Sequence, residues 1–301
     1  MDITPHNHSN GNDIRLLAFD LDGTILERGE HIAPEFCRAL ARVAAAGVRC
    51  ATATGRPLEF QLEVLARHGL GAQAGLPHAL IADERALYLL EDGAYRAHTS
   101  WNETICAAWE ELRPVALAWL ARAQARALAW GYQVPYVCNP EEARVRGAAA
   151  LRLPSRDAAE RVRAWLAEEL AARGLPLAVN RNYWLVQVYP TCAGKGHVLA
   201  ELARLWSIPP CQVLAVGDSL NDFCMLDGRL GFRCATVANA DPTILDVVAA
   251  QGGHVASLHC AQGVVEVLTA LLPCDPCAMD HSLVNGRDAG DTENETAKRA
   301  A

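Results

Sequence analysis

Two aspartates stand two residues apart at the end of a short apolar run: Leu16, Leu17, Ala18 and Phe19 lead into Asp20, Leu21, Asp22, Gly23 and Thr24. A run of that length, apolar on both faces, reads as a central strand of a parallel sheet. Asp20 then falls at the strand's carboxyl end, where open α/β sheets hold their ligands. Carboxylates this close repel each other. A Mg²⁺ ion is the economical remedy, because it takes hard oxygen ligands and bridges a carboxylate to a substrate phosphate. The alternative is a turn with two solvated aspartates, which a short motif matches by chance.

Three further stretches lie at comparable places. In Ala53-Thr54-Gly55-Arg56, a hydroxyl at a strand end followed by glycine lets Thr54 and the Gly55 backbone approach a phosphate oxygen. Thr54 could equally cap the helix that starts near Pro57. Arg56 suits a substrate contact or a pairing with an acid. Ala193-Gly194-Lys195-Gly196 puts a cation just ahead of a helix, able to neutralise a phosphate or a nucleophilic carboxylate, unless the lysine is simply solvated. Val216-Gly217-Asp218-Ser219-Leu220-Asn221-Asp222 ends another apolar strand in acids. Asp218 completes a Mg²⁺ site with Asp20, or else caps a helix with Asp222 in its first turn. The conjunction decides between these readings: all four stretches lie where strands end or helices begin, so all can converge on one edge of one sheet.

The elements that must position them alternate. A helix over 33–46 ends at Gly47, a strand follows at 48–53, a helix runs from Pro57 to about His68, and strands follow at 78–82 and 86–90. From there to about Tyr189 the texture changes. Two helices, 103–112 and 114–130, are expected to break at Pro114. Strands are expected at 132–138 and 144–151, and a helix capped by Ser155 runs to 172. A hairpin of 177–179 and 183–189 is expected to turn at Asn180-Arg181-Asn182. The alternation of helix and parallel strand then returns until about Leu272. This predicts an α/β architecture: a Rossmann-like parallel-sheet core over 13–86 and 189–272, with an inserted α+β cap over 87–188. Disordered tails are expected at 1–12 and 273–301. Six of the seven tryptophans fall between Trp101 and Trp184; as residues of amphipathic helices they are expected to fill a core rather than stack on a ligand.

A formal charge of −8 and a pI near 5.7 argue against nucleic acid or an anionic membrane as partner. With no apolar stretch of membrane-spanning length and no signal peptide at Met1–Asn12, a soluble, cytoplasmic protein is expected. The eleven cysteines have no framework spacing and read as reduced small hydrophobes. Cys274 and Cys277 form a lone Cys-x-x-Cys pair with no second pair to complete a metal site.

Together, Phe-Asp-Leu-Asp-Gly-Thr, Thr-Gly-Arg, the Gly-Lys-Gly lysine and Gly-Asp-Ser-Leu-Asn-Asp resemble the four motifs of the haloacid dehalogenase (HAD) superfamily, in its usual order. The insertion after the second motif, and Asn239-Ala240 with Pro242, resemble the branch with Cof-type, sucrose-phosphate and mannosyl-3-phosphoglycerate phosphatases. The resemblance implies that Asp20 is a nucleophile forming an aspartyl-phosphate and that Asp22 is the general acid and base. It implies Mg²⁺ held by the Asp20 and Asp218 carboxylates and the Asp22 carbonyl. Thr54 and Lys195 would hold phosphoryl oxygens, with Asn221 and Asp222 supporting the phosphate and the metal's waters. The activity implied is hydrolysis of a small phosphorylated metabolite, with a sugar phosphate favoured. A phosphomutase using the same aspartyl-phosphate and a non-catalytic sugar-phosphate sensor are the alternatives. Where relatives often carry Asn-Gly at the start of the cap, this chain has Asp83-Glu84-Arg85, so Glu84 or Arg85 could confer a different preference. Arg181, Asn182, Trp184 and Gln187 are further candidates for reading the leaving group.

Overall fold

The computed structural model describes residues 14–27 and 29–271; both expected tails, with Cys274 and Cys277, lie outside them. The chain opens with β1 (Leu16–Phe19), a small ribbon of β2 (Leu26–Glu27) and β3 (His31–Ile32), and α1 (Pro34–Ala45). β4 (Arg49–Ala53), α2 (Leu58–Arg67), β5 (Ala79–Ala82), β6 (Ala86–Glu91) and β7 (Ala94–Ala97) come next. α3 (Thr99–Ala129) then leads to β8 (Tyr136–Val137), α4 (Pro140–Arg146), β9 (Ala149–Arg152), α5 (Arg156–Ala172) and the hairpin β10 (Leu177–Asn182) and β11 (Leu185–Pro190). The chain returns through α6 (Lys195–Leu205), β12 (Val213–Val216), α7 (Phe223–Leu226), β13 (Arg233–Thr236), α8 (Pro242–Ala250), β14 (His254–Val255) and α9 (Cys260–Leu271).

Eight strands form one sheet in the order β14-β13-β12-β1-β4-β5-β6-β7, parallel from β14 through β5 and antiparallel beyond. β1 is fully buried on both faces, as its four apolar residues require. Leu17 and Phe19 pack with α1 and α9 on one side. Leu16 and Ala18 pack with α6 and α8 on the other. Each such fully buried Leu or Phe contributes roughly 1.5–3 kcal/mol, so this strand is a rigid seat for Asp20. The chain runs from β1 outward to β4 and β5, then returns to the other side of β1 as β12. β1 therefore borders the point where strand order reverses, the crevice in which such sheets take ligands.

A second, antiparallel sheet in the order β10-β11-β9-β8 packs on α3 and α5 around its own core. Its strands come from 136–190. β6 and β7 stay in the large sheet, although 87 was the expected start of the inserted unit. Three local expectations also fail. α3 runs unbroken through Pro114: Trp109 before the proline and Ala116, Trp119 and Leu120 after it are all buried, and that packing offsets the roughly 3 kcal/mol of the missing backbone bond. The strand expected at 144–151 is α4 followed by β9. Asn139 and Glu142 form a reciprocal capping box, and Gly147 ends α4 at φ +67°. In the hairpin, Asn180, Arg181 and Asn182 are strand residues, and the turn lies at Tyr183 and Trp184. Of the tryptophans expected to fill a core, Trp109 and Trp119 do so, whereas Trp184 is exposed. Among the described residues no helix is long and apolar enough to cross a membrane.

Candidate active site

The carboxyl ends of β1, β4 and β12 bring the four sequence stretches to one place. Asp20 directly follows β1 and is 3% exposed; its backbone N–H donates to the Val216 carbonyl at 3.0 Å. Lys195, the first residue of α6, is wholly buried and reaches Asp20 Oδ1 at 2.8 Å and Asp222 Oδ1 at 2.6 Å. The other Asp222 oxygen accepts the N–H groups of Asp218 and Ser219, both at 2.9 Å. Asp222 thus braces the loop after β12 against the lysine. Thr24 Oγ1 donates to Asp218 Oδ1 at 2.7 Å. Gly23, at φ +81°, has no room for a side chain: a Cβ would stand 2.4 Å from Asp218 Oδ2. The Asn239 amide donates to the Gly23 carbonyl at 2.7 Å, pinning the turn between the two motif aspartates and Thr24.

Thr54 is buried just past β4, and its hydroxyl accepts the Arg56 N–H at 3.2 Å. Gly55 lies beside it in the wall of the cavity. Arg56 lines the same cavity. Its guanidinium donates to both Asp22 oxygens, at 2.8 and 2.7 Å, and stacks over Phe60. Of the two roles open to Arg56, pairing with an acid is the one seen, and the acid is Asp22 itself. Asn221 is occupied as well: its amide donates to Glu84 Oε1 at 2.9 Å, and Asn180 of β10 donates to Glu84 Oε2 at 2.9 Å. Glu84 therefore joins the two sheets.

Burial pushes the Asp20 carboxyl well above its ordinary value against the pull of Lys195, with Asp222 and Asp218 adding to the rise. Asp218 is pushed up to about 7, by burial first and then by Asp222. Burial also raises Glu84. The Lys195 ammonium is opposed by burial, but Asp20, Asp222 and Glu84 outweigh it and hold its pKa above the usual lysine range. Five carboxylates (Asp20, Asp22, Glu84, Asp218 and Asp222) face two cations, Lys195 and Arg56. One oxygen from each of Asp20, Asp218 and Asp222 lies within 4.8 Å of the others. An all-oxygen donor set with surplus negative charge fits a divalent cation of the Mg²⁺ type. Since both Asp222 oxygens are engaged, Asp20 and Asp218 are the carboxylates free to hold one.

These groups open onto a cavity of about 950 Å³ between the two sheets, large enough for a small organic molecule. Asn182 and Gln187 line it, as expected of leaving-group candidates, together with Tyr183, Tyr189 and Arg146. Trp184 does not line it and is 46% exposed. Arg181 is buried and committed to Asp241 at 2.9 Å and Glu160 at 3.0 Å. Arg156 meets the same Asp241 oxygen. Asp241 escaped the sequence reading. It caps α8 through the Thr243 N–H, and its own N–H donates to the Asp218 carbonyl at 2.8 Å. The Asp-Pro pair at the start of a helix was the available sign.

Two family models match the chain in order along its length. Residues 17–79 match a haloacid dehalogenase-like hydrolase model, and residues 153–270 match a sucrose-6F-phosphate phosphohydrolase model. No curated protein matches the sequence. Among solved structures, the sucrose-phosphatase of Synechocystis sp. PCC6803, in complex with sucrose and phosphate, is similar at 21% identity. That match covers 86% of this chain and 98% of the other, with a TM-score of 0.65. A haloacid dehalogenase-like hydrolase from B. subtilis (18% identity, 86% and 100% covered, TM-score 0.59) shares the fold. So does a phosphatase of the same superfamily from Bacteroides thetaiotaomicron (18%, 88% and 97%, 0.58). The sheet, its strand-end acids and the two sequence matches make this chain a haloacid dehalogenase-like hydrolase. Within that class it is a phosphoric monoester hydrolase of the sucrose-phosphatase-like kind.

Proposed function

We propose that the protein is a Mg²⁺-dependent phosphatase acting on a small phosphorylated metabolite of the sugar-phosphate class, through an aspartyl-phosphate on Asp20. The observation that carries this reading is Asp20 itself: a buried carboxylate at a strand end, held by Lys195 at 2.8 Å, with Asp22 two residues on at the same cavity. An Asp20 oxygen attacks phosphorus, the bond from phosphorus to the ester oxygen breaks, and Asp22 gives its proton to the departing alkoxide. Asp22 then takes a proton from water as that water attacks the aspartyl-phosphate, releasing inorganic phosphate and restoring Asp20. Arg56, bidentate on Asp22, fixes the direction of that carboxyl and gives up hydrogen bonds to it when it is protonated. Lys195 and Thr54 supply fixed positive charge and a hydroxyl to the phosphoryl oxygens. The Asp20 and Asp218 carboxylates and the Asp22 carbonyl would hold Mg²⁺, whose contribution is to neutralise charge on the phosphoryl group.

The test is phosphate release from a panel of sugar phosphates and other phosphoesters, with Mg²⁺, with EDTA, and with Asp20→Asn protein. Metal-dependent release that falls on the order of 10⁴-fold or more in the variant is expected. Robust release by Asp20→Asn overturns the mechanism. Phosphoryl transfer to a second substrate site without free phosphate would indicate a mutase, and tight binding without turnover a sensor.

A further inference from the structure

Three arginines line the cavity, and they are not equivalent. Arg56 is spent on Asp22. Arg85 and Arg146 take part in no ion pair among the described residues. Arg85 extends from the turn between β5 and β6 across to the end of α4, where Nη2 donates to the Val145 carbonyl at 2.8 Å. Its Nε is buried without a hydrogen-bond partner. A guanidinium N–H left in that state is destabilising until a ligand meets it. Gly147 makes room for it: a Cβ there would stand 2.2 Å from Arg85 Cζ. Arg146 lies between Val145 and Gly147 in the chain, so the contacts of Arg85 bring both cations to one stretch of wall. The turn that carries Arg85 holds Asp83 at φ +51° and Glu84 at φ +58°, a conformation that suits Asn, Asp and Gly and strains a glutamate.

The acids nearby do not cancel this charge. Asp83 lines the same wall and feels both arginines, yet none of its oxygens lies within 4 Å of either guanidinium nitrogen set, and burial raises its pKa. Glu84 is held by Asn180 and Asn221. Glu59 is exposed. Glu142 also feels Arg146, but its Oε2 is taken by the Tyr136 hydroxyl and the Asn139 N–H and it makes no ion pair with the arginine. The two guanidinium groups thus keep their planar fork, which matches a carboxylate or a phosphate, without a paired acid. We infer that the substrate bears a second anionic group beyond its reacting phosphoryl group, received by Arg85 and Arg146. This rests on the phosphatase reading and narrows its substrate class to phosphoesters of acidic alcohols.

The experiment uses the full chain with Mg²⁺ and matched pairs of phosphoesters: 6-phosphogluconate against sorbitol 6-phosphate, 3-phosphoglycerate against glycerol 3-phosphate, and fructose 1,6-bisphosphate against fructose 6-phosphate. The acidic member of at least one pair is expected to have the higher kcat/KM. The first two pairs read a carboxylate and the third a second phosphate. In Arg146→Gln, an exposed position that folding tolerates, the acidic-to-neutral ratio of kcat/KM should fall on the order of tenfold, mostly through KM. Arg85→Gln should do the same. An unchanged ratio in Arg146→Gln, or preference for the neutral member in every pair, overturns the inference while leaving the phosphatase reading standing. No phosphate release from any compound removes both.

Discussion

On the floor of the cavity each charged group has a hydrogen-bonding or ion-pair partner: Lys195 sits between Asp20 and Asp222, Thr24 donates to Asp218, and Arg56 grips Asp22. Along the wall near α4, Arg85 has a buried N–H without a partner, and among the described residues neither it nor Arg146 is ion-paired. Apart from the surplus negative charge that suits a divalent cation, the floor is held in place before a substrate arrives, as catalysis by fixed charge requires. The wall is left for a ligand to complete. Chemistry and recognition are thus divided between a pre-paired surface and an unpaired one, and each can be probed separately.

The largest effect is expected from Lys195→Met. It strands two buried carboxylates and should cost about 5 kcal/mol of stability in denaturant melts, the upper end for breaking a buried pair, with loss of turnover. A variant that keeps both stability and activity breaks the description of the floor. Next comes pH. Asp218 rises from an ordinary value of 3.8 to about 7 on folding, so the folded state binds the extra proton between those values. Stability of the metal-free protein should therefore be highest near pH 4 as far as this group is concerned. It should fall by up to about 4 kcal/mol as pH rises through 7. Melting curves from pH 5 to 8 with EDTA should show about 3 kcal/mol of that fall, the remainder lying below pH 5, and Mg²⁺ should flatten it by favouring the ionised form. A smaller loss, at most about 3 kcal/mol, is expected from Arg181→Met, which leaves Glu160 to Arg163 and Asp241 to Arg156. Trp184→Ala marks the bottom of the scale. This exposed ring stacks only under Arg152 and should shift stability by no more than about 0.5 kcal/mol and leave KM within twofold.

The same division governs what can be read from the sequence. Apolar residues on both faces, then an acid, announce β1 and Asp20, and the glycines around Lys195 and Asp218 mark tight approaches that only small residues allow. These signals are local. Asn180-Arg181-Asn182 read as a turn because the three are polar and turn-prone. They are strand residues because Asn180 finds Glu84 across 96 positions and Arg181 finds Asp241 across 60. Pro114 reads as a break for the same reason: the buried Trp109 and Trp119 that hold α3 together around it depend on a core assembled from β9, β11 and α5. Arg146 is invisible as a wall residue in the sequence, since its segment reads as a strand unless the capping box of Asn139 and Glu142 is recognised.

The turn at Asp83 and Glu84 shows why a locally unfavourable backbone can persist. Gly at position 84 would relax a φ of +58° by about 1 kcal/mol, but it would strand the buried amides of Asn180 and Asn221 at roughly 1–3 kcal/mol each. A laboratory lineage propagated for thermal tolerance alone would therefore keep the carboxylate at position 84, and it would surrender it only after both amides had found other partners.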